Sequence, residues 1–299
     1  MIDLLQGSRV AVLRLRSLGD CVLTTPALDI LKRARPDLRL AVVVEDRFRA
    51  VFEGNPDVDT LLAPDWRALR AWRPELCLNL HGGSASARLA AVSGARRRAG
   101  FAHYRWQMLY NVRIPRAQEI LGEERTVHTA EHLASAMFYL GAPRVEIPRA
   151  KLFAESRPTA RPYAVIHAAA AAPDKTWRAD GFLKAARHMQ KALDLEPVFI
   201  AGPGDDLRAF REFRTVSGAP LAEIKSLLKG ASLFIGNDSG PAHMAAAFGL
   251  PVVVVFGESD PRIWGPWRTA SEVVTAKGGI QNVGVAQVIA AAARMRVLA

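Results

Sequence analysis

The stretch from Phe234 to Gly257 concentrates residue types that seat an anion: Phe-Ile-Gly-Asn-Asp-Ser-Gly-Pro-Ala-His-Met-Ala-Ala-Ala-Phe-Gly-Leu-Pro-Val-Val-Val-Val-Phe-Gly. An apolar strand over Leu233 to Ile235 runs into Asn237, Asp238 and Ser239, all good helix N-cap types, and Gly240-Pro241 suits a helix start. A small-residue helix follows from about Pro241 to Phe248. Gly249 stops it, and Pro251 begins a second apolar strand. The start of such a helix presents free backbone N–H groups and roughly half a positive charge, a seat for a phosphate at the carboxyl end of a parallel sheet. His243, one turn in, either faces that phosphate or packs as a core imidazole. Two further residues could do chemistry beside such a seat. Asp20 follows Gly19 just after the first apolar strand, where a carboxylate is either a general base toward a hydroxyl or a helix N-cap. Lys175 lies in a loop after a later strand, where it either neutralises an anionic leaving group or sits on the surface paired with Asp174.

Other spacings carry weaker chemistry. Gly202-Pro-Gly-Asp-Asp206 follows an apolar strand, and acidic groups at such strand ends bind ribose hydroxyls, which suits Asp205 or Asp206. The first strand is not followed by Gly-x-Gly-x-x-Gly, which disfavours a dehydrogenase. Asp57-Val-Asp59 has the look of a metal-binding Asp-x-Asp, but the preceding Asn55-Pro56 marks a turn leading into a strand. Arg96-Arg-Arg98, Arg105, Trp106, Tyr110, Arg113 and Arg116 interleave basic and aromatic residues, as either a binding surface or a solvated loop. His128 and His132, four apart, share a helix face and find no third metal ligand.

Strand and helix patterns alternate behind these residues. Strands are expected over Arg9–Leu15, Leu38–Val44, Asp59–Leu62, Glu75–Leu80 and Arg97–Phe101. Helices are expected after the first strand to about Arg35, around Arg47–Glu53, over Trp66–Trp72 and Ser84–Val92, and within Thr126–Leu140. The polar, proline-bearing segment Glu155–Pro162 reads as a linker. The pattern then restarts with strands Tyr163–His167, Pro197–Ala201, Ser232–Ile235, Pro251–Phe256 and Glu272–Thr275, helices between them, and a closing helix over Val283–Leu298. Two βα series predict two doubly wound domains, with a ligand site in the cleft between them.

The 299 residues suffice for two such domains, and half of them are hydrophobic. Cys21 and Cys77 sit in apolar contexts and read as buried thiols of a reducing compartment. The N-terminal run is no signal peptide, and no apolar run reaches the roughly 18 residues of a membrane span. These features predict a cytoplasmic protein. The net charge of +11 either reflects a solvated arginine-rich surface or attracts anions. Its even spread, +6 over residues 1–150 and +5 over 151–299, argues against a nucleic-acid-binding protein, the non-enzymatic alternative.

Five motifs, in order from about residue 9 to 267, resemble glycosyltransferase family 9, the ADP-heptose:lipopolysaccharide heptosyltransferases. They are Arg14-Leu-Arg-Ser-Leu-Gly-Asp20 with Thr24-Thr-Pro-Ala-Leu28, Asn55-Pro-Asp-Val-Asp59, Lys175-Thr-Trp177, the stretch after Phe234, and Phe256-Gly-Glu-Ser-Asp-Pro261 with Trp264-Gly-Pro266. The resemblance implies an α/β GT-B fold of two Rossmann-like domains facing a central cleft. Residues 1–156 would bind the acceptor and 157–299 the nucleotide sugar. It implies an inverting, metal-independent transfer that uses no cofactor beyond the ADP-sugar donor, with domain closure on binding. Asp20 would be the base, and Lys175 would stabilise the departing ADP. Asp238 would hold the donor sugar while Ser239, Gly240, Pro241 and His243 line its diphosphate, Pro241 through shape alone, with Asp205 and Asp206 on the ribose. Arg96, Arg105 and Arg113 would face the acceptor, an acidic glycolipid, at the inner face of the cytoplasmic membrane. The chain departs from the family at His167-Ala-Ala-Ala-Ala-Ala172-Pro173, where small polar residues are usual. Without their hydroxyls, phosphate contacts would rest on backbone N–H groups, and another nucleotide sugar stays open as donor.

Overall fold

The computed structural model describes residues 4–156, 159–170 and 172–297, in two compact units, Met1–Phe153 and Ala154–Ala299. Of the positions read above, Met1 to Asp3, Arg157 and Pro158 of the linker, Ala171 and Leu298 lie outside the described residues.

The first unit runs β1 (Arg9–Leu13), α1 (Leu18–Ala34), β2 (Arg39–Val43), β3 (Thr60–Leu62), α2 (Trp66–Trp72), β4 (Leu76–Asn79), α3 (Ser84–Val92), β5 (Arg97–Phe101), β6 (Val112–Ile114), α4 (Ala117–Leu121) and α5 (Thr129–Tyr139). The second runs β7 (Tyr163–His167), α6 (Ala179–Ala192), β8 (Glu196–Ala201), β9 (Arg214–Ser217), α7 (Leu221–Lys229), β10 (Leu233–Asn237), α8 (Gly240–Ala247), β11 (Val252–Val255), α9 (Pro261–Trp264), β12 (Ser271–Val274) and α10 (Val285–Val297). Among the described residues each unit carries a six-stranded sheet, in the orders β3-β2-β1-β4-β5-β6 and β12-β11-β10-β7-β8-β9, and every pairing is parallel. Counted from each unit's own first strand, the two orders are the same doubly wound order.

Parallel strands covered by helices on both faces read as continuous apolar runs. Val10 to Leu13, Leu40 to Val43 and Val252 to Val255 are such runs, and all are buried. α10 places Val288, Ala291, Ala292 and Met295 on one buried stripe, in the same core as Phe182, Ala185, Ala186 and Met189 of α6. Inside α1, Pro26 removes the N–H that would have bonded the Val22 carbonyl. The Thr25 hydroxyl donates to that carbonyl instead, at 2.8 Å, so the Thr-Thr-Pro run keeps its helix satisfied.

Two strands escape the sequence reading. β6 and β9 are short sheet edges that present Arg113, Arg214, Thr215 and Ser217 to solvent, and a half-exposed edge has no apolar run to announce it. α5 falls within the expected Thr126–Leu140 and begins at Thr129 because His128 caps it: the ring Nδ1 accepts from the Ala130 N–H at 3.1 Å, and Glu131 reaches back to the His128 N–H at 2.9 Å. His128 and His132 therefore do not share a helix face. His132 stacks on Phe101 with ring centroids 4.0 Å apart.

The sheet order fixes where a ligand can sit. From β1 the chain winds outward to β2, then returns to β4 on the other side of β1. From β7 it winds to β8, then returns to β10. Each unit thus has a switch point, and the crevice beyond the strand ends there is the usual ligand seat of doubly wound sheets.

Candidate active site

At the first switch point β1 delivers Arg14, and the turn that follows enters α1 through Ser17, held at φ 71°. No side chain caps α1. Asp20 is its third residue, so the cap reading of Asp20 gives way: its carboxylate faces Arg14, with Oδ2 3.9 Å from the guanidinium. Arg14 is buried, and it donates to the Leu80 carbonyl just beyond β4. Asn79, the last residue of β4, accepts from the N–H groups of His81 and Gly82 at 3.0 and 3.1 Å and donates to the Tyr110 hydroxyl at 2.7 Å. Gly82 sits at φ +79°, and a Cβ there would press on the Tyr104 ring. Burial, then the Arg14 charge, pulls the half-buried His81 below the ordinary imidazole range, so it is neutral near pH 7. Burial pushes the Tyr104 phenol and the Cys21 thiol up to about 12.

At the second switch point β7 ends at His167 and β10 ends at Asn237. Asn237 is buried and ties the loop after β7 to its own strand. Its Oδ1 accepts from the Trp177 N–H at 2.9 Å, and its Nδ2 donates to the Ala168 carbonyl at 2.9 Å. The Trp177 indole donates to the Val283 carbonyl at 3.1 Å and meets Phe182 edge-on. A Cβ at Gly257 would collide with the Asp174 carbonyl, so glycine two residues past β11 lets the lysine loop lie close. Held this way, Lys175 brings Nζ to 3.6 Å from Asp238 Oδ2. The alternative of a surface pairing with Asp174 gives way to this one. Ser239 occupies the cap position of α8, and no side chain caps that helix. Asn237 and Asp238 have other partners, and the Ser239 hydroxyl lies 3.1 Å from His167 Nδ1. Burial pulls His167 down to about 4, against a smaller upward pull from Asp205, so its ring is neutral at this contact. Gly240 and Pro241 open α8, and His243 is buried within it.

The remaining expected site residues fall in three places. Asp205 Oδ2 accepts from the Gly202 N–H at 2.9 Å and closes the turn after β8. Asp206 is exposed and is gripped by Arg208 through two N–H bonds of 2.7 and 3.0 Å, which hold its carboxyl down at about 2. Arg105 follows the carboxyl end of β5 and lies over the Trp106 ring, while Arg113 on β6 helps line a hollow of about 300 Å³ with His103 and Arg116. Arg96 precedes β5 and stands at the amino end of the sheet, the end opposite Asp20, so the structure does not bring it together with Arg105 and Arg113. Asp57 and Asp59 have separate partners. Lys151 lies 3.6 Å from Asp57, whereas Asp59 accepts from the Leu40 N–H and from Lys32 at 2.8 and 2.9 Å. Among the described residues no group of three His, Cys, Asp or Glu side chains is placed to hold a metal ion, and no helix is long and apolar enough to cross a membrane.

Sequence reasoning assigned no site role to Arg14, Asn79 or His167, and only a helix cap to Asn237. Each ends or follows a central strand beside a switch point, and that position was the available signal.

A family model, glycosyltransferase family 9 (heptosyltransferase), matches residues 65–283. Lipopolysaccharide heptosyltransferase 3 of Escherichia coli is 26% identical over 284 residues, which cover 83% of each chain. The crystal structure of a family 9 glycosyl transferase from Veillonella parvula matches with a TM-score of 0.85 at 22% identity, over 98% of both chains. The E. coli ADP-heptose lps heptosyltransferase II matches with a TM-score of 0.83 at 18% identity, over 97% of this chain and 99% of that one. The fold is therefore the expected GT-B fold, with two Rossmann-like domains in one chain.

Proposed function

The chain belongs to glycosyltransferase family 9, and on that premise we propose that it moves a heptose from ADP-heptose to a hydroxyl of the lipopolysaccharide inner core, with inversion at the anomeric carbon. Asp20 takes the proton of the acceptor hydroxyl as that oxygen bonds to the anomeric carbon. The bond from that carbon to the diphosphate oxygen breaks on the opposite face, and its electron pair leaves with ADP. Lys175 and the N-terminus of α8 stabilise the charge that develops there. Asp238 orients Lys175 and accepts from the donor sugar, while Ser239 and Gly240 offer backbone N–H groups. Arg105 and Arg113 steer the acidic acceptor. The work is done at the inner face of the cytoplasmic membrane, and the net charge of +11 supports attraction to that anionic surface.

The observation that carries this reading is Lys175 held against Asp238 beside a helix N-terminus that no side chain caps. A backbone seat with one cation suits a diphosphate that must be bound in the ground state and held more strongly as it departs. The alanine run after His167 favours a second reading on the same machinery, a different nucleotide sugar, because no hydroxyl from that run selects the donor. A panel of ADP-, UDP- and GDP-activated sugars, offered with heptose-free inner core as acceptor, decides between them through nucleotide release. ADP-heptose should be consumed with the highest kcat/KM. Preference for a UDP- or GDP-sugar would overturn the donor assignment and leave the transferase chemistry standing.

A further inference from the structure

We propose that Arg14 is a positioning residue for the transfer, acting through Asp20, and that the Leu80 carbonyl beyond β4 is the fixed point against which it is set. The inference rests on Asp20 being the base.

Arg14 stands directly after β1, and its backbone N–H bonds the Val43 carbonyl at 3.1 Å, so its Cα is fixed by the sheet. Its side chain is 5% exposed. A buried guanidinium persists only when fixed partners compensate its lost hydration. One nitrogen donates to the Leu80 carbonyl, which bridges the ends of β1 and β4 across the switch point. Another nitrogen faces Asp20 Oδ2 at 3.9 Å, and Nε is buried with no hydrogen-bond partner. The planar fork is thus committed to one carbonyl and one carboxylate, and its rigid geometry transmits the position of the sheet to Asp20. Oδ2 of Asp20 is turned toward the cation, and the second oxygen is left for the incoming hydroxyl. Cys21, His81, Tyr104 and His132, the other titratable side chains whose protonation responds to the Arg14 charge, are neutral near pH 7 and do not compete for it. Asp20 itself is 22% exposed on the first turn of an uncapped helix, where the backbone alone would leave its rotamer loose.

The test is a double-mutant cycle on the full chain. Arg14→Met, close in length and uncharged, should lower kcat by about tenfold to hundredfold, the usual result of misplacing a catalytic group by an ångström, with donor and acceptor KM little changed. Arg14→Lys keeps the charge but cannot reach both partners as a fork does, and it should recover part of the loss. The deciding measurement is Arg14→Met combined with Asp20→Asn. A residue that acts through the Asp20 carboxylate has nothing to act on once that carboxylate is an amide. The double variant should therefore be no slower than Asp20→Asn alone. If the two losses multiply, or if Arg14→Met raises the KM values and leaves kcat intact, Arg14 is a structural residue and the inference fails. Thermal melts of all variants separate unfolding from slowed turnover. An Asp20→Asn enzyme with normal kcat would instead remove the base assignment on which the cycle stands.

Discussion

The two units fold in the same strand order and open at the same topological position, yet they place opposite charges there. At β1 and β4 the more accessible partner is an anion, Asp20 at 22%, over a buried cation, Arg14 at 5%. At β7 and β10 the more accessible partner is a cation, Lys175 at 38%, over a less exposed anion, Asp238 at 10%. The central strand that closes each switch point ends in a buried asparagine, and the two asparagines do different jobs. Asn79 folds its own turn back on itself and hydrogen-bonds Tyr110. Asn237 ties down the loop after the neighbouring strand β7, through Trp177 and Ala168, and that is the loop which carries Lys175. On the function proposed above, one scaffold offers a proton acceptor in one copy and an anion seat in the other, and the two ion pairs differ in which partner is the more accessible.

The largest effect that could break this comparison is at Asp20. If the first unit supplies the proton acceptor, Asp20→Asn should lower kcat by about 10²–10⁴, the range for removing a general base. Folding should be spared, because Asp20 is not a cap in this structure and an amide keeps its size. Stopped-assay measurement of ADP release gives the rate, and near-normal turnover would leave the first unit without its assigned role.

A smaller effect sharpens the first half of the comparison. Arg105 and Arg113 are exposed, and surface charge contacts contribute about 0.2–1 kcal/mol each. Replacing both with alanine should raise the acceptor KM by roughly twofold to tenfold and leave ADP affinity alone, whereas Arg96→Ala, at the far end of the sheet, should change neither. Equal loss of donor and acceptor binding in the double variant would place these arginines outside any acceptor surface.

A separate effect is on stability, and both units share it. Burial holds His132 in the first unit and His167 in the second at about 4, below the ordinary 6.5. The unfolded chain therefore takes up protons that the folded chain refuses as pH falls from 6.5 to about 4, and these two groups lower stability across that window. Below about 4 their contribution levels off. His132→Phe, which keeps a ring against Phe101, should narrow the drop in urea midpoint between pH 7 and pH 5. An unchanged drop would mean that His132 titrates normally.

Much of this was legible in the sequence, for definite reasons. Buried parallel strands such as Val252 to Val255 announce themselves as apolar runs, and Gly240-Pro241 announces the start of α8. Asp20, Lys175 and Asp238 follow strands at the correct end of their sheets. The edge strands β6 and β9 lacked that signal because half of each faces water. A pairing of Lys175 with its neighbour Asp174 stayed open as the alternative, because Asp238 comes within reach only once β7 and β10 lie side by side. Arg14 reads as one more strand-end arginine until its guanidinium is seen buried, and His128 reads as a helix residue until its ring is seen capping. The first two facts belong to tertiary contact, which local pattern does not record, whereas the His128 cap is a contact between near neighbours that an unusual cap residue did not announce.

The most direct test of the central claim is calorimetric titration of ADP into the full chain and into two variants, Asp20→Asn and Lys175→Met. A proton acceptor in the first unit and a phosphate seat in the second predict that Asp20→Asn binds ADP as the unaltered protein does. Lys175→Met should bind it roughly tenfold to hundredfold more weakly, the effect of losing one charge-assisted contact to a phosphate. Equal weakening by both variants, or full ADP affinity in Lys175→Met, would contradict the division of roles between the two switch points.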